Sequence, residues 1–265
     1  MAWAAELLKD DRLCMEVLCQ TAGKPLAWVL SHPDGELPQD QFESFVRIVE
    51  QVFAGYPLQY LTGRVQFWGM PLEVDEHVLI PRPETEILVQ QVLALPLSDE
   101  ARVLDVGTGS GAIAAALKKE RPRWQVEALD ISPEALAVAR KNFEKLNLSI
   151  PLREGDGLAG QKIPWDAIVS NPPYIATSDL DLLPANVRKE PRRALDGGRE
   201  GLEMIFQLIR QAPGALVRGG HLCLEIGFDQ GGKVMAFSRR LGWRRVRIVN
   251  DFAGIGRVFI GLWLP

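Results

Sequence analysis

The sequence predicts an α/β fold in which a doubly wound, mainly parallel sheet carries helices on both faces and follows a small N-terminal helical bundle. Three observations lead to this prediction: helical periodicity before about residue 60, alternating strand and helix patterns from about residue 85, and a glycine-rich turn directly after the first of those strands. A chain of 265 residues can bury about 70 percent of its unfolded surface, so we expect one large domain and a small one.

Residues 1–63 are predicted to form the helical bundle. In QDQFESFVRIVEQVF, residues 39–53, apolar side chains recur at helical intervals, Pro38 stands at a favourable helix start, and Gly55 ends the run. Residues 1–65 hold nine acidic and five basic side chains. This negative charge suits the docking of a basic protein partner, although a purely stabilising role fits the pattern equally well.

The next segment changes from helical to strand-like periodicity. VQFWGMPLEV, residues 65–74, alternates around Gly69, which predicts a β-hairpin. We therefore expect residues 64–84 to be a hairpin linker and residues 85–265 to be the second domain.

The second domain alternates strands with helices, as parallel strands joined by right-handed crossovers require. The predicted strands include RVLDVG, WQVEALD, WDAIVS and GGHLCLEIG. The predicted helices are TGSGAIAAALKKE, SPEALAVARKNFEKL and GLEMIFQLIRQAPGALV. The final stretch, WRRVRIVNDFAGIGRVFIGLWL, contains two strands and no strong helix, which predicts an antiparallel hairpin at one edge of the sheet.

Composition argues against several classes of protein. Hydrophobic residues make up 47% and charged residues 24%, and no apolar run approaches the roughly 20 residues of a membrane span. The start of the chain shows no export signal, so a cytoplasmic protein is expected. The three cysteines and three histidines of the whole chain do not have the spacing of metal ligands, so no metal site is expected. A net charge of -4 disfavours direct nucleic-acid binding, and the basic cluster RKEPRR, residues 188–193, is interpreted as a solvated face.

The turn after the first strand predicts a ligand site. Its residues are Asp105, Val106, Gly107, Thr108, Gly109, Ser110 and Gly111. Glycine permits positive φ and close backbone approach, and the helix that begins near Ala112 presents unpaired N–H groups. The turn and Ala112 also match the dinucleotide fingerprint G-x-G-x-x-A, which is a weak signal alone.

Carboxylates near this turn discriminate between cofactors. Asp130 ends the second strand, 21 residues after Gly109, where an acid accepts hydrogen bonds from the ribose hydroxyls of either NAD or S-adenosylmethionine. Asp105 favours S-adenosylmethionine, because a negative charge beside the turn disfavours a pyrophosphate and attracts an amino or sulfonium group. The alternative is that Asp105 only organises the loop. Asp156, at the end of the third strand, is expected to accept the adenine amino group.

SNPPYI, residues 170–175, follows the fourth strand and is expected at the same sheet edge as the glycine turn. The Asn171 side-chain oxygen and the Pro172 carbonyl can each accept one N–H of a planar NH2 group, which aims the nitrogen lone pair at a methyl donor. Pro172 and Pro173 stiffen the loop and add no competing N–H. Tyr174 is expected to cover the planar group with its ring. Asn171, Pro172 and Tyr174 are therefore predicted to be catalytic, through placement and preorganised dipoles.

VLDVGTGSG, ALD and SNPPYI together resemble S-adenosylmethionine-dependent methyltransferases that act on planar nitrogen. Five further segments are similar to the peptide chain release factor glutamine methyltransferases: PLQYLTG, PRPETE, KEPRRALDGGREGL, LEIGFDQG and DFAGIGRV. The resemblance implies a seven-stranded class I (Rossmann-like) methyltransferase domain behind the helical bundle. It also implies transfer of a methyl group from S-adenosylmethionine to the side-chain nitrogen (N5) of glutamine in the Gly-Gly-Gln motif of release factors. Release factors are thus the expected partners of a monomeric enzyme.

The reasoning from the residues and the resemblance together give two sets of site residues. The cofactor set is Asp105, Gly107, Thr108, Gly109, Ser110, Gly111, Asp130, Ile131, Asp156, Gly157, Leu158 and Asn171. The substrate set is Arg82, Glu84, Asn171, Pro172, Pro173 and Tyr174. Two departures from the family pattern matter. Gly157 stands where many members have a bulky residue on the adenine, so Leu158 is expected to take that role, and Gly198-Arg199-Glu200-Gly201 replaces the usual Gly-x-Asp-Gly.

Three other functions compete with this interpretation. A nucleic-acid amino methyltransferase shares the Asn-Pro-Pro-Tyr chemistry but usually carries a basic recognition domain, whereas the extra domain of this chain is acidic. A nicotinamide-dependent oxidoreductase is disfavoured by Asp105 and by the lack of an evident proton-relay set. A non-catalytic binding module would capture the cofactor stoichiometrically without turnover.

Overall fold

The computed structural model describes residues 2–160 and 164–264, which form two compact units. The first unit is Met1–Gly63 with Pro184–Lys189, and the second is Arg64–Leu183 with Glu190–Pro265. The hairpin thus belongs to the second unit rather than forming a separate linker.

The segment Pro184–Lys189 groups with the first unit, although the sequence placed it inside residues 85–265. Two contacts within that unit give the physical reason. The Lys189 ammonium lies 4.7 Å from the centre of the Tyr56 ring, which is cation–π distance. Gly55 also leaves room for Ala185, whose Cβ would lie only 2.8 Å from a Cβ added at Gly55.

The first unit is helical, as predicted. Its helices are α1 (Ala2–Leu8), α2 (Asp11–Ala22), α3 (Leu26–Ser31), α4 (Gln39–Phe53) and α5 (Leu58–Thr62). The Asp10 side chain caps α2 by accepting a hydrogen bond from the Leu13 backbone N–H at 2.9 Å. The buried apolar face of α4 supplies Phe45 and Val49 to the core of this unit. The helix predicted at residues 39–53 is confirmed to the residue.

The second unit contains nine strands and six α-helices within the described residues. The strands are β1 (Arg64–Phe67), β2 (Met70–Glu73), β3 (Arg102–Val106), β4 (Gln125–Asp130), β5 (Leu152–Glu154), β6 (Trp165–Ser170), β7 (Leu216–Glu225), β8 (Arg244–Asn250) and β9 (Gly256–Leu262). The helices are α6 (Thr85–Leu93), α7 (Ala112–Glu120), α8 (Pro133–Lys145), α9 (Arg192–Leu195), α10 (Glu203–Gln211) and α11 (Gly231–Arg240).

Strands β1 and β2 pair as the predicted hairpin, and the other seven form one sheet in the order β5-β4-β3-β6-β7-β9-β8. Strands β3 to β7 are parallel, and β9 runs antiparallel to both β7 and β8. The doubly wound, seven-stranded sheet and its C-terminal antiparallel hairpin are therefore confirmed.

Apolar residues cover both faces of this sheet. Successive residues of β3 belong to different cores: Val103 packs with α6, α7 and α8, whereas Leu104 packs with α10 and α11. This explains why the strand sequences are apolar without alternation, as in parallel sheets that are covered on both sides. In the described residues, no helix is long and apolar enough to cross a membrane.

Strands β4 and β5 lie on one side of β3 in the sheet, and β6 and β7 lie on its other side, so the strand order reverses at β3. The carboxyl ends of these strands therefore border a crevice, which is where ligands bind in open parallel sheets. Gly107, Ile131 and Asn171 are the first residues after the three strands.

Candidate active site

A cavity of about 680 Å³ lies at the carboxyl ends of β3, β4 and β6. This volume is in the range of small-molecule and cofactor pockets, roughly 300–1,000 Å³. The residues predicted from sequence that line it are Gly107, Thr108, Gly109, Ser110, Asp130, Ile131, Asp156, Gly157, Asn171, Pro172 and Pro173. The structure thus brings the glycine turn, the two strand-end acids and the start of the Asn-Pro-Pro-Tyr loop into one site.

The glycine turn has the predicted backbone conformation. Gly107, Gly109 and Gly111 have φ angles of 70°, 55° and 83°, a region that other residues adopt at a cost. A Cβ at Gly107 or Gly109 would meet nothing within 4 Å, so these two positions leave open space above the turn. Gly111 does not line the cavity. Its role is to let the turn pack against the buried Phe143 ring, since a Cβ at this position would lie 2.5 Å from Phe143 Cε1.

Asp130 ties the turn to the start of α8. Its Oδ2 accepts a hydrogen bond from the Gly109 backbone N–H at 2.8 Å, and its Oδ1 accepts one from the Ser132 backbone N–H at 2.9 Å. Each carboxylate oxygen can accept a second hydrogen bond, and the group lines the cavity. Asp130 is therefore placed to accept hydroxyl hydrogens from a ligand.

Asp105 organises the loop instead of lining the cavity, which corrects its predicted role beside a cationic ligand group. Its side chain is 0% exposed, and Oδ2 accepts hydrogen bonds from the Thr108 hydroxyl at 2.6 Å and the Ala114 backbone N–H at 3.2 Å. Burial raises the pKa of Asp105 to about 7. Oδ1 has no hydrogen-bond partner among the described residues. The alternative considered from the sequence, a loop organiser, is what the structure contains.

The Leu158 side chain does not line the cavity, whereas the sequence led us to expect it beside the adenine. Its side chain is buried in the core with α10, and its backbone N–H donates to Gln211 Oε1 at 3.0 Å. A Cβ at Gly157 would lie 3.0 Å from Gln207 Nε2 and 3.6 Å from Met204 Cε. Met204 and Gln207 line the cavity, so α10 occupies the space that a bulky side chain at position 157 would need.

Asn171 is the first residue after β6, and a hydrogen bond holds the NH2 end of its side-chain amide. Its Nδ2 donates a hydrogen bond to the Thr85 hydroxyl oxygen at 3.2 Å. Within the described residues, neither Asn171 Oδ1 nor the Pro172 carbonyl oxygen has a hydrogen-bond donor. Both residues line the cavity, so the two predicted acceptors are available to a ligand there.

The rest of this loop is held by hydrogen bonds to its main-chain groups. Gln230 Nε2 donates to the carbonyl oxygens of Tyr174 at 2.8 Å and Gly201 at 3.0 Å. The Ile175 backbone N–H donates to the Leu195 carbonyl at 3.0 Å. Gly201, with a φ of 70°, allows the closest approach, since a Cβ there would come well within 3.0 Å of the Tyr174 carbonyl oxygen. These hydrogen bonds restrain the loop, and its two prolines restrict the backbone further.

Tyr174 does not line the cavity, and its expected role of covering a planar ligand stays a prediction. Its ring packs beside the core that contains α10 and α11, and its hydroxyl donates to Glu225 Oε1 at 3.3 Å. Burial, followed by the nearby Glu225 charge, raises the pKa of Tyr174 above its ordinary value. Glu225 was not identified as a site residue from the sequence, because nothing in LEIGFDQG marks its glutamate as buried next to this loop.

Arg82 and Glu84 do not line the cavity either, and their assignment to the substrate set stays a prediction. The Arg82 guanidinium forms an ion pair with Glu190, a buried carboxylate that also accepts the Ile80 backbone N–H at 3.0 Å. These bonds fix the segment that carries Pro81, which does line the cavity. Glu84 is exposed just before α6.

Sequence reasoning missed several cavity-lining residues. They include Glu76, His77, Val78, Leu79, Pro81, Arg192, Arg193, Met204 and Gln207. Arg192 and Arg193 belong to the basic cluster interpreted as a solvated face, and the structure places both at the cavity. No local pattern marks these residues, since they reach the site only through the packing of separate segments.

Comparison with known proteins gives concordant results. The model of the PrmC N-terminal domain matches residues 2–63, and that of the methyltransferase small domain matches residues 83–200. A release factor glutamine methyltransferase from Moorella thermoacetica is 45% identical over 237 residues, which cover 88% of this chain and 84% of that protein. One from Pseudomonas aeruginosa is 40% identical over 276 residues and covers 99% of each chain. The crystal structure of a methyltransferase from Pyrococcus furiosus superposes with a TM-score of 0.58 at 21% identity, covers 74% of this chain and 90% of that one, and supports the fold alone.

Proposed function

We infer the activity from one premise: this chain belongs to the family of release factor glutamine methyltransferases. It is an S-adenosylmethionine-dependent methyltransferase, and its substrates are peptide chain release factors. The finer proposal is that the acceptor is the N5 side-chain nitrogen of the glutamine in the Gly-Gly-Gln motif. The observation that supports it is that the open acceptors of Asn171 and Pro172 share one cavity with the glycine turn.

The residues of the cavity fit S-adenosylmethionine. Gly107 and Gly109 leave space above the turn where a nucleoside can approach the backbone. Asp130 has acceptor capacity for ribose hydroxyls, and Asp156 lines the cavity near Gly157, where its carboxylate can accept an adenine amino group. When bound, S-adenosylmethionine supplies a methyl group on a positively charged sulfur that leaves as a neutral thioether.

The Asn-Pro-Pro-Tyr loop then acts on the acceptor amide. The nitrogen of a carboxamide is a poor nucleophile because its lone pair is delocalised into the carbonyl. Asn171 Oδ1 and the Pro172 carbonyl each accept one N–H, which fixes the plane of the amide and stabilises positive charge that develops on the nitrogen. The proton displaced from nitrogen leaves after transfer, so no strong base is required. Such placement can lower a barrier by roughly 7–11 kcal/mol.

The test is methyl transfer to purified release factors. The protein is incubated with isotopically labelled S-adenosylmethionine and each candidate factor, and the modified residue is located by mass spectrometry of its peptides. We expect one methyl group on the Gly-Gly-Gln glutamine. Asn171→Ala is expected to abolish transfer and to retain cofactor affinity in calorimetry, because Asn171 acts on the acceptor. Label on another residue, or full activity of Asn171→Ala, contradicts the proposal.

The first unit is proposed to dock the release factor. Its support is the excess of acidic over basic side chains in residues 1–65, which favours association with a basic partner surface. Replacing this unit should raise KM for an intact release factor more than for a short Gly-Gly-Gln peptide. Equal changes in the two KM values remove the docking role.

Three further expectations remain predictions. A cytoplasmic location is expected, because the proposed substrate is a translation factor. The protein is also expected to be a monomer and to make no direct contact with nucleic acid. Light scattering and a nucleic-acid binding assay at physiological salt measure the last two.

A further inference from the structure

A hydrogen-bond chain beside the cavity links Asn171 to three residues that the proposed chemistry does not use. Asn171 Nδ2 donates to Thr85 Oγ1 at 3.2 Å, and the Thr85 hydroxyl donates to Glu225 Oε2 at 2.7 Å. The Tyr174 hydroxyl donates to Glu225 Oε1 at 3.3 Å. Glu225 is the last residue of β7 and only 2% exposed, and Thr85, the first residue of α6, is 3% exposed.

We propose that Glu225 is a positioning residue that sets the direction of this chain and thereby decides which atom of the Asn171 amide faces the acceptor. The inference rests on the proposed function, since it concerns how Asn171 meets the substrate amide. Glu225 does not line the cavity, and Thr85 links it to Asn171.

The direction follows from which groups can donate. An ionised carboxylate only accepts hydrogen bonds, so the Thr85 proton must point to Glu225. The Thr85 oxygen is then an acceptor on its other side, and only the NH2 end of the Asn171 amide can satisfy it. The amide therefore turns Oδ1 the other way, which gives the cavity an acceptor rather than two donors.

Without an acceptor at position 225, the hydrogen bond between Thr85 and Asn171 reverses its direction. Asn171 is the other hydrogen-bond partner of the Thr85 hydroxyl in the described residues, so we expect the Thr85 proton to turn to Asn171 Oδ1 and the amide to rotate and present Nδ2 to the cavity. Two N–H groups then oppose the N–H groups of the substrate amide. An unpaired buried hydroxyl is costly, and this cost drives the reversal.

The surroundings make the charge of Glu225 adjustable. Burial raises the pKa of Glu225 to about 7, against the opposing effect of the hydrogen bonds from Thr85 and Tyr174. Glu84, before α6, adds to the rise, and Arg257, on β9, lowers the value. Because a protonated carboxyl can also donate, protonation removes the constraint on direction. The kcat for methyl transfer should therefore increase with pH across neutrality.

The decisive experiment compares Glu225→Met with the double variant Thr85→Val/Glu225→Met. Glu225→Met removes the acceptor with little change in volume and should lower kcat by on the order of 10²-fold, as removal of one preorganised polar group does. In the double variant the Thr85 proton is gone, nothing drives the reversal, and kcat should recover by about tenfold or more relative to Glu225→Met. A merely structural role for Glu225 predicts the opposite, since the second substitution adds damage.

Two further variants complete the test. Glu225→Gln can donate or accept and should give an intermediate kcat without the acid limb of the wild-type pH profile. Ser238→Ala removes another fully buried hydroxyl, which bonds the Met235 carbonyl on α11, and should leave kcat and its pH profile unaltered. KM for the release factor should change little in every variant, because most contacts of a protein substrate lie outside this amide. Thermal unfolding verifies that each variant is folded.

The outcomes separate this inference from the proposed function. A wild-type protein that transfers no methyl group to any release factor overturns the function itself. An active wild type with full kcat in Glu225→Met, or a double variant no better than Glu225→Met, overturns the role of Glu225 and leaves the function intact.

Discussion

Gly201→Ala tests whether the rigidity of the Asn-Pro-Pro-Tyr loop supports catalysis. Gly201 has a φ of 70°, and its added Cβ would come well within 3.0 Å of the Tyr174 carbonyl oxygen and 2.9 Å from Gln230 Nε2. Gln230 Nε2 bonds both main-chain carbonyls, those of Tyr174 and Gly201. An alanine at this position must therefore push the loop away from the segment that holds it.

The magnitude has two parts. A left-handed backbone costs roughly 1–2 kcal/mol for a residue with a Cβ, and loss of a Gln230 hydrogen bond adds about 1 kcal/mol, so stability should fall by roughly 2–3 kcal/mol. Restoring a normal contact with the Tyr174 carbonyl shifts the loop by roughly 0.5–1 Å, and misplacement of reacting groups by about 1 Å can cost 10²-fold in rate.

The assay measures kcat for methyl transfer, the dissociation constant of S-adenosylmethionine, and thermal unfolding. We expect kcat to fall by on the order of 10²-fold with unaltered cofactor affinity, because the glycine turn lies on a different strand end. The matched control is Gly232→Ala on α11, where an added Cβ meets nothing within 4 Å and the residue is exposed. Gly201→Ala with wild-type kcat would refute the claim that the loop must be held rigid.

Three other changes probe the cofactor side. Asp130→Ala should weaken S-adenosylmethionine binding by about 10-fold or more, measured by calorimetry, whereas an unaltered affinity would remove Asp130 from the cofactor site. Leu158→Ala should destabilise the fold by about 2–5 kcal/mol and leave cofactor affinity unaltered; a selective loss of affinity would restore Leu158 to the adenine site. Because burial raises the folded-state pKa of Asp105 to about 7, folding takes up a proton between about pH 4 and pH 7, and stability contributed by this group declines as pH rises across that window. Asp105→Asn should flatten that decline in denaturant unfolding, and an unchanged slope would contradict it.

Local patterns in the sequence predicted much of the secondary structure, although they did not mark α6, whose first residue lines the cavity. The helix at residues 39–53, the hairpin around Gly69 and the glycine turn each depend on periodicity or on residues with special backbone freedom, which are properties of a few neighbouring residues. The carboxyl ends of parallel strands also meet at one edge. Asn171 and Gly107 were therefore placed together correctly without knowledge of any side-chain contact.

Side-chain direction was the property that the sequence did not predict. Asp105, Leu158 and Tyr174 each lie next to residues that line the cavity, yet each side chain points into the protein. An acid before a glycine turn is compatible with either a ligand contact or a loop bond, and only the position of the Ala114 N–H at the start of α7 decides between them.

The sequence by itself determined the alternation of strands and helices and the position of the glycine turn and the Asn-Pro-Pro-Tyr loop at one sheet edge, because those depend on short segments. Only the tertiary structure revealed that Glu225 lies beside Thr85, 140 residues away along the chain, and that Met204 and Gln207 fill the space above Gly157. Such neighbours belong to different strands and helices that come into contact only when the sheet assembles, so no pattern within either segment predicts the contact.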